Sequence, residues 1–108
     1  MTAPLPTVDP RDVGDDLLLD VREDGEWQAG RAPSAVHVPL SQLVARLGEL
    51  PPDRPLAVVC RSGHRSAQAT AFLAGQGWPA RNVDGGMLAW EALGLPLVGE
   101  PGAQPYVA

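Results

Sequence analysis

The sequence predicts an α/β domain built on a mainly parallel, five-stranded sheet with helices on both faces. Three observations carry that prediction. Short apolar runs of β-type residues alternate with segments of helical spacing along most of the chain, the pattern of βαβ units. The strongest runs, Leu56-Ala57-Val58-Val59 and Leu17-Leu18-Leu19-Asp20-Val21, are nearly continuous instead of alternating, as in strands buried on both faces. A length of 108 residues suits one compact domain with a real core.

Taken in order, Leu5 to Val8 reads as an edge strand, and Asp9-Pro10 as a cap followed by proline at the first helical position. Leu17 to Val21 is a buried strand, and Val36 to Val38 a shorter one. Ser41 then reads as an N-cap, with Leu43, Val44, Leu47 and Leu50 at helical spacing until Pro51-Pro52 stops the helix. The strand Leu56 to Val59 runs directly into Cys60. After the loop Arg61-Ser62-Gly63-His64-Arg65, Ser66 is expected to cap a helix over 67–76, with Gly77 as its stop. Arg81 to Val83 is the last strand, and Gly85-Gly86 turns into a helix from Met87 to Leu93 that ends at Gly94. Residues 99–108 lack periodicity, so the domain is expected to span 1–98 and to be followed by a loosely held tail.

Composition excludes several chemistries. The net charge of −5 argues against binding nucleic acid or an anionic membrane. The apolar runs are too short to span a bilayer, and the opening MTAPLPTVDPRD is not a secretory signal. All eight basic residues are arginine, which rules out Schiff-base catalysis and a phosphate-loop lysine. One cysteine and two histidines cannot build the usual zinc sites, so no metal or cofactor is expected. A lone cysteine forms no internal disulfide, which suits a reducing compartment and makes the cytoplasm the expected location.

The chemistry concentrates at Val58-Val59-Cys60-Arg61-Ser62-Gly63-His64-Arg65-Ser66. A cysteine ends a buried strand, a tight loop follows, and a helix begins at once. Ligands of parallel sheets bind outside the carboxyl ends of the strands, so Cys60 lies where chemistry is expected. Backbone N–H groups of the loop and the helix start favour a thiolate and then an anionic substrate. Arg61 and Arg65 add positive charge, and Gly63 lets the loop turn sharply. The expected result is a nucleophile with a lowered pKa. A buried structural thiol is the competing reading, and the arginines, the glycine and the helix cap outweigh it.

These residues resemble the rhodanese-like family. The match is a series of motifs in order. LLLDVRE with Glu26-Trp27 is similar to the first family signature, and Gly30 to Pro39 to the second. CRSGHRS resembles the active-site loop, and Val83-Asp84-Gly85-Gly86-Met87-Leu88-Ala89-Trp90 the terminal signature. Together they cover residues 15–97. In the second signature Arg31, Ala32 and Ser34 stand where the family more often has His, Ile and Gly. The resemblance implies a three-layer rhodanese fold and a sulfurtransferase that carries sulfur as a Cys60 persulfide. Arg61, Ser62, Gly63, His64, Arg65 and Ser66 would form the cradle for a small anionic sulfur donor, thiosulfate being the simplest. Cyanide or a cellular thiol would take the sulfur away, and a sulfur-relay protein is a further partner the resemblance allows.

Neighbouring residues are read more plainly. Asp20 and Arg22 are expected to support the site structurally, by bonding the loop or pairing with Glu26. Gly85 and Gly86 are expected to permit a close turn beside the active-site loop. His64 is read as contributing only its N–H, His37 as structural, and Trp27, Trp78 and Trp90 as packing. Two other functions compete. Phosphatases and arsenate reductases of similar fold have five residues between cysteine and arginine, whereas four separate Cys60 from Arg65 here. A persulfide carrier or partner-binding module is the second, since fold alone does not choose between carrier and enzyme.

Overall fold

The architecture is that of a parallel α/β sandwich, in a computed structural model that describes residues 4–108. Five strands, β1 (Thr7–Val8), β2 (Leu17–Asp20), β3 (Val36–His37), β4 (Leu56–Val59) and β5 (Ala80–Val83), form one sheet in the order β1-β5-β4-β2-β3. Every pairing is parallel, with Asp20 opposite Val59 and Val58 opposite Asn82. Three α-helices accompany them: α1 (Asp24–Ala29) between β2 and β3, α2 (His64–Gly75) between β4 and β5, and α3 (Gly86–Ala92) after β5.

The continuous apolar runs are buried on both sides, as predicted. Leu19, Leu56 and Val58 pack with Ala69 and Leu73 of α2 on one face. Leu18, Ala57 and Val59 pack with Met87 and Trp90 of α3 on the other. Successive residues of a strand point to opposite faces, so each strand serves both layers. Asp9 caps a 3₁₀ turn over Pro10–Asp12, its carboxylate accepting from the Arg11 N–H at 2.8 Å. The tryptophans pack as expected: Trp90 is buried and donates to the Pro96 carbonyl, Trp78 donates to the Pro51 carbonyl, and Trp27 stacks on His37.

Four expectations are corrected. The helix predicted after Ser41 is instead two 3₁₀ turns, Leu40–Gln42 and Leu47–Glu49. Neither turn has a side-chain cap, Gly48 lies in the second, and Pro51 follows, so the segment never reaches the length at which propagation outweighs nucleation. Its leucines still face inward, Leu43 and Leu50 buried, while Val44 is exposed. Helix α1 was not expected; at six residues it is too short to show periodicity. It is tied at its start by Glu26, whose Oε1 accepts from the Glu23 N–H at 3.0 Å. Helix α2 begins at His64 after Gly63, so Ser66 lies inside the first turn and is no cap.

The fourth correction concerns the tail. Residues 99–108, expected to be loosely held, return across the domain. Val107 is buried with Met87 and Trp90, and its N–H donates to Glu91 Oε2 at 2.9 Å. The Tyr106 N–H donates to the Ala29 carbonyl at 3.1 Å. One buried apolar residue and a few directed polar contacts dock the segment, and none of them leaves a periodic trace.

Candidate active site

Strand order explains why the site forms where it does. From β2 the chain moves outward to β3, and from β4 it moves the other way to β5. Adjacent connections leaving in opposite directions open a crevice at the carboxyl ends of β2 and β4. Cys60, the residue after β4, sits in that crevice and is 1% exposed.

Hydrogen-bond donors converge on its sulfur. The Gly63 N–H lies 3.1 Å from Sγ and the Ser66 hydroxyl 3.2 Å. Gly63 has φ +111°, a conformation that glycine adopts without strain. Ser66 is fully buried one turn into α2, with its carbonyl bonded by Thr70 Oγ1 at 2.7 Å. Burial alone would push the Cys60 thiol up. The Ser66 hydroxyl and the N–H groups of Ser66, Gly63 and Ser62 outweigh it, and the thiol lies below its ordinary value. Ser66 therefore acts on the sulfur directly, through its hydroxyl.

The opposite side of the loop is held by α3. The Met87 N–H donates to the Cys60 carbonyl at 2.8 Å, and the Leu88 N–H to the Arg61 carbonyl at 3.0 Å. These bonds direct the loop's carbonyls toward α3 and leave its N–H groups for the sulfur. Gly85 and Gly86 make the approach possible, with φ of +72° and +60°. A Cβ at Gly86 would lie 2.5 Å from the carbonyl oxygens of both Cys60 and Arg61. The glycine pair thus forms the close turn that the sequence suggested.

The arginines are differently placed than expected. Arg65 does not stand free beside the sulfur: its two terminal nitrogens bond both carboxylate oxygens of Glu26, at 2.6 and 2.8 Å. Arg61 is exposed and donates to the Ala108 main-chain oxygen at 2.9 Å. Ser62 and His64 are exposed at the rim. Asp20 and Arg22 make side-chain hydrogen bonds neither to the loop nor to the Glu26 carboxylate. They form a fully buried pair at 2.8 Å, and the same guanidinium bonds the carbonyls of Gly30 and Glu26. Their work is to tie the end of β2 to α1. Arg22→Met is expected to cost about 3–5 kcal/mol, because it strands a buried Asp20 carboxylate; urea unfolding measures this.

Glu26 is lowered from 4.5 to about 2, first by its hydrogen bonds from Arg65 and then against a smaller opposing effect of burial. A carboxylate with a depressed folded-state pKa stabilises fully above its unfolded value and loses that contribution as pH falls. Glu26→Gln is therefore expected to lower stability by about 1–2 kcal/mol at neutral pH. The gap between variant and wild type should close as pH falls from 4.5 toward 2. Thermal melts across that range check the sign.

Two residues of the site leave little local trace in the sequence. Glu26 offers itself there as a partner for Asp20 or Arg22, not for Arg65. Asn82 reads only as a strand residue, yet its Nδ2 donates to the Gly63 carbonyl at 3.2 Å. A polar side chain in the last buried strand, just ahead of the paired glycines, was the available signal. Elsewhere, a cavity of about 440 Å³ lined by Pro6, Asp16, Pro55, Pro79, Ala80 and Arg81 lies at the opposite, amino ends of the strands. It is remote from Cys60. Among the described residues no cluster of His, Cys, Asp or Glu could hold a metal ion, and no helix is long and apolar enough to cross a membrane.

Comparison with known proteins agrees with this geometry. A family model described as "Rhodanese-like domain" matches residues 8–93. The chain is 41% identical over 92 residues to a protein named "Sulfurtransferase" of Allochromatium vinosum, covering 84% of this chain and 86% of that one. It is 36% identical over 77 residues to "Thiosulfate sulfurtransferase GlpE" of Pseudomonas savastanoi, covering 70% and 73%. Among solved structures, a rhodanese-related protein of Thermoplasma volcanium superposes with a TM-score of 0.82 at 32% identity, covering 86% of this chain and 97% of that one.

Proposed function

The chain belongs to the rhodanese-like domain family, and from that premise we propose that it moves sulfane sulfur from thiosulfate to a thiophilic acceptor through a Cys60 persulfide. The observation that carries the proposal is the sulfur's surroundings: a thiol below its ordinary pKa, with the Gly63 N–H and the Ser66 hydroxyl directed at it. In the first step the Cys60 thiolate attacks the outer sulfur of thiosulfate. The new S–S bond forms as the old one breaks, and its electron pair leaves with sulfite. The terminal sulfur of the persulfide inherits the negative charge, which the loop's N–H groups then face. In the second step cyanide or a thiolate attacks that terminal sulfur, and Cys60 departs as the thiolate. No oxidant or cofactor enters either step. The chain's single cysteine leaves no internal thiol to resolve the persulfide, so the acceptor comes from outside.

Covalent transfer through one site predicts ping-pong kinetics. Initial rates of thiocyanate formation, with thiosulfate and cyanide varied together, should give parallel double-reciprocal lines. Intersecting lines would contradict the persulfide route.

The carrier reading has one observation in its favour. Arg65, the cation expected to meet an anionic donor, is already neutralised by Glu26. Slow turnover of thiosulfate together with ready charging from a polysulfide would favour the carrier. A phosphatase is opposed by the loop: four residues separate Cys60 from Arg65, one fewer than the five of the phosphatases of similar fold.

A further inference from the structure

We propose that Asn82 is a positioning residue for Cys60, clamping the Gly63 carbonyl so that the Gly63 N–H stays on the sulfur; this rests on the reading of Cys60 as the nucleophile. Gly63 is the pivot of the loop. Its N–H donates to Cys60 Sγ at 3.1 Å, while its carbonyl accepts from Asn82 Nδ2 at 3.2 Å and from the Ala67 N–H at 3.0 Å. Glycine at φ +111° has little steric barrier to rotation, so the direction of its N–H depends on what holds the adjoining peptide. The Ala67 bond belongs to the first turn of α2, where helices fray. The Asn82 bond comes from a strand flanked on both sides, with β1 and β4 as neighbours and its own N–H on the Pro6 carbonyl at 2.8 Å. That makes Asn82 the rigid support.

The other end of the same carboxamide points to the same role. Asn82 Oδ1 is buried with no hydrogen-bond partner among the described residues. An orphaned buried acceptor lowers stability, and asparagine is a poor strand residue. Leucine, of similar size, would remove the orphan. Stability alone therefore favours an apolar residue at this position, and the one side-chain bond that asparagine makes is to the active-site loop. A residue that lowers stability while ordering a nucleophile's donor is a positioning residue.

The test separates stability from thiol reactivity. Iodoacetamide alkylation of Cys60, followed across pH in wild type and Asn82→Leu, reads the thiolate directly and needs no sulfur donor. Thermal melts run alongside. Asn82→Leu is expected to melt at the same or a higher temperature, while alkylation near neutral pH slows by roughly threefold to tenfold. The two proteins should converge at alkaline pH, where both thiols are ionised. Asn82→Ala, which cannot overpack, is expected to show the same displaced profile and serves if the leucine variant does not fold. A profile superimposing on wild type in either folded variant overturns the proposal. Because alkylation is independent of sulfur transfer, a displaced profile in a protein that takes no sulfur from thiosulfate would contradict the proposed function and leave the role of Asn82 standing.

Discussion

Cys60→Ser is expected to abolish thiocyanate formation from thiosulfate and cyanide, with kcat/KM falling by at least about a thousandfold. The reason is chemical and not structural. A serine hydroxyl keeps an ordinary high pKa even where hydrogen bonds depress a thiol, and it cannot carry a transferred sulfur as a persulfide. The fold should tolerate the change. Serine is smaller than cysteine, and its oxygen would still meet the Gly63 N–H and the Ser66 hydroxyl, so no buried polar group is left alone. Equal melting temperatures for the two proteins would show that the loss is one of chemistry. Turnover persisting in a folded Cys60→Ser protein would remove the nucleophile from the account.

Gly86→Ala is expected to have the second largest effect, through the backbone instead of the nucleophile. The added Cβ would meet the carbonyl oxygens of Cys60 and Arg61 at 2.5 Å and the Arg61 carbonyl carbon at 2.7 Å. None of these is the end of a flexible side chain that could swing away. The methyl group would also be held at φ +60°, which adds backbone strain. Either α3 or the active-site loop must shift, and the bonds from Met87 and Leu88 to the loop's carbonyls shift with it. A loss of about 2–4 kcal/mol is expected, with activity reduced at least about tenfold. Gly94→Ala is the control: φ there is +70°, but nothing lies within 4 Å of an added Cβ. It should show the strain alone, about 1 kcal/mol, and keep its activity. Denaturant unfolding and thiosulfate kinetics on both variants separate the clash from the strain. Similar stability and activity in the two would contradict the close approach.

What the sequence revealed follows the range of the interactions involved. The strands were legible because burial on both faces leaves continuous runs such as Leu56 to Val59, and Cys60 was legible because it ends one of them. Gly85-Gly86 announced a tight turn through residues that few other positions demand. By contrast, Arg65 and Glu26 meet across 39 positions of sequence. Opposite charges at that separation offer many pairings, and nothing local selects this one. The same holds for Asn82 and Gly63, 19 positions apart. Ser66 departs from its expected capping role for a different reason. A serine after a glycine-containing loop satisfies the capping rule, yet Gly63 at positive φ starts the helix earlier, and the hydroxyl turns to the sulfur. The segment after Ser41 shows the limit of periodicity: its leucines keep helical spacing, but bounding prolines and a glycine confine them to single turns.

Sulfur is expected to reside on Cys60 between the two half-reactions, where mass spectrometry of the charged protein can weigh it. Wild-type protein incubated with thiosulfate, freed of excess donor and kept from any acceptor, should gain the mass of one sulfur atom on the peptide carrying Cys60. Subsequent addition of cyanide should remove that mass and release an equal amount of thiocyanate. Thiocyanate formation by the wild-type enzyme with no mass gain at Cys60, or with the added sulfur on another residue, would rule out the Cys60 persulfide.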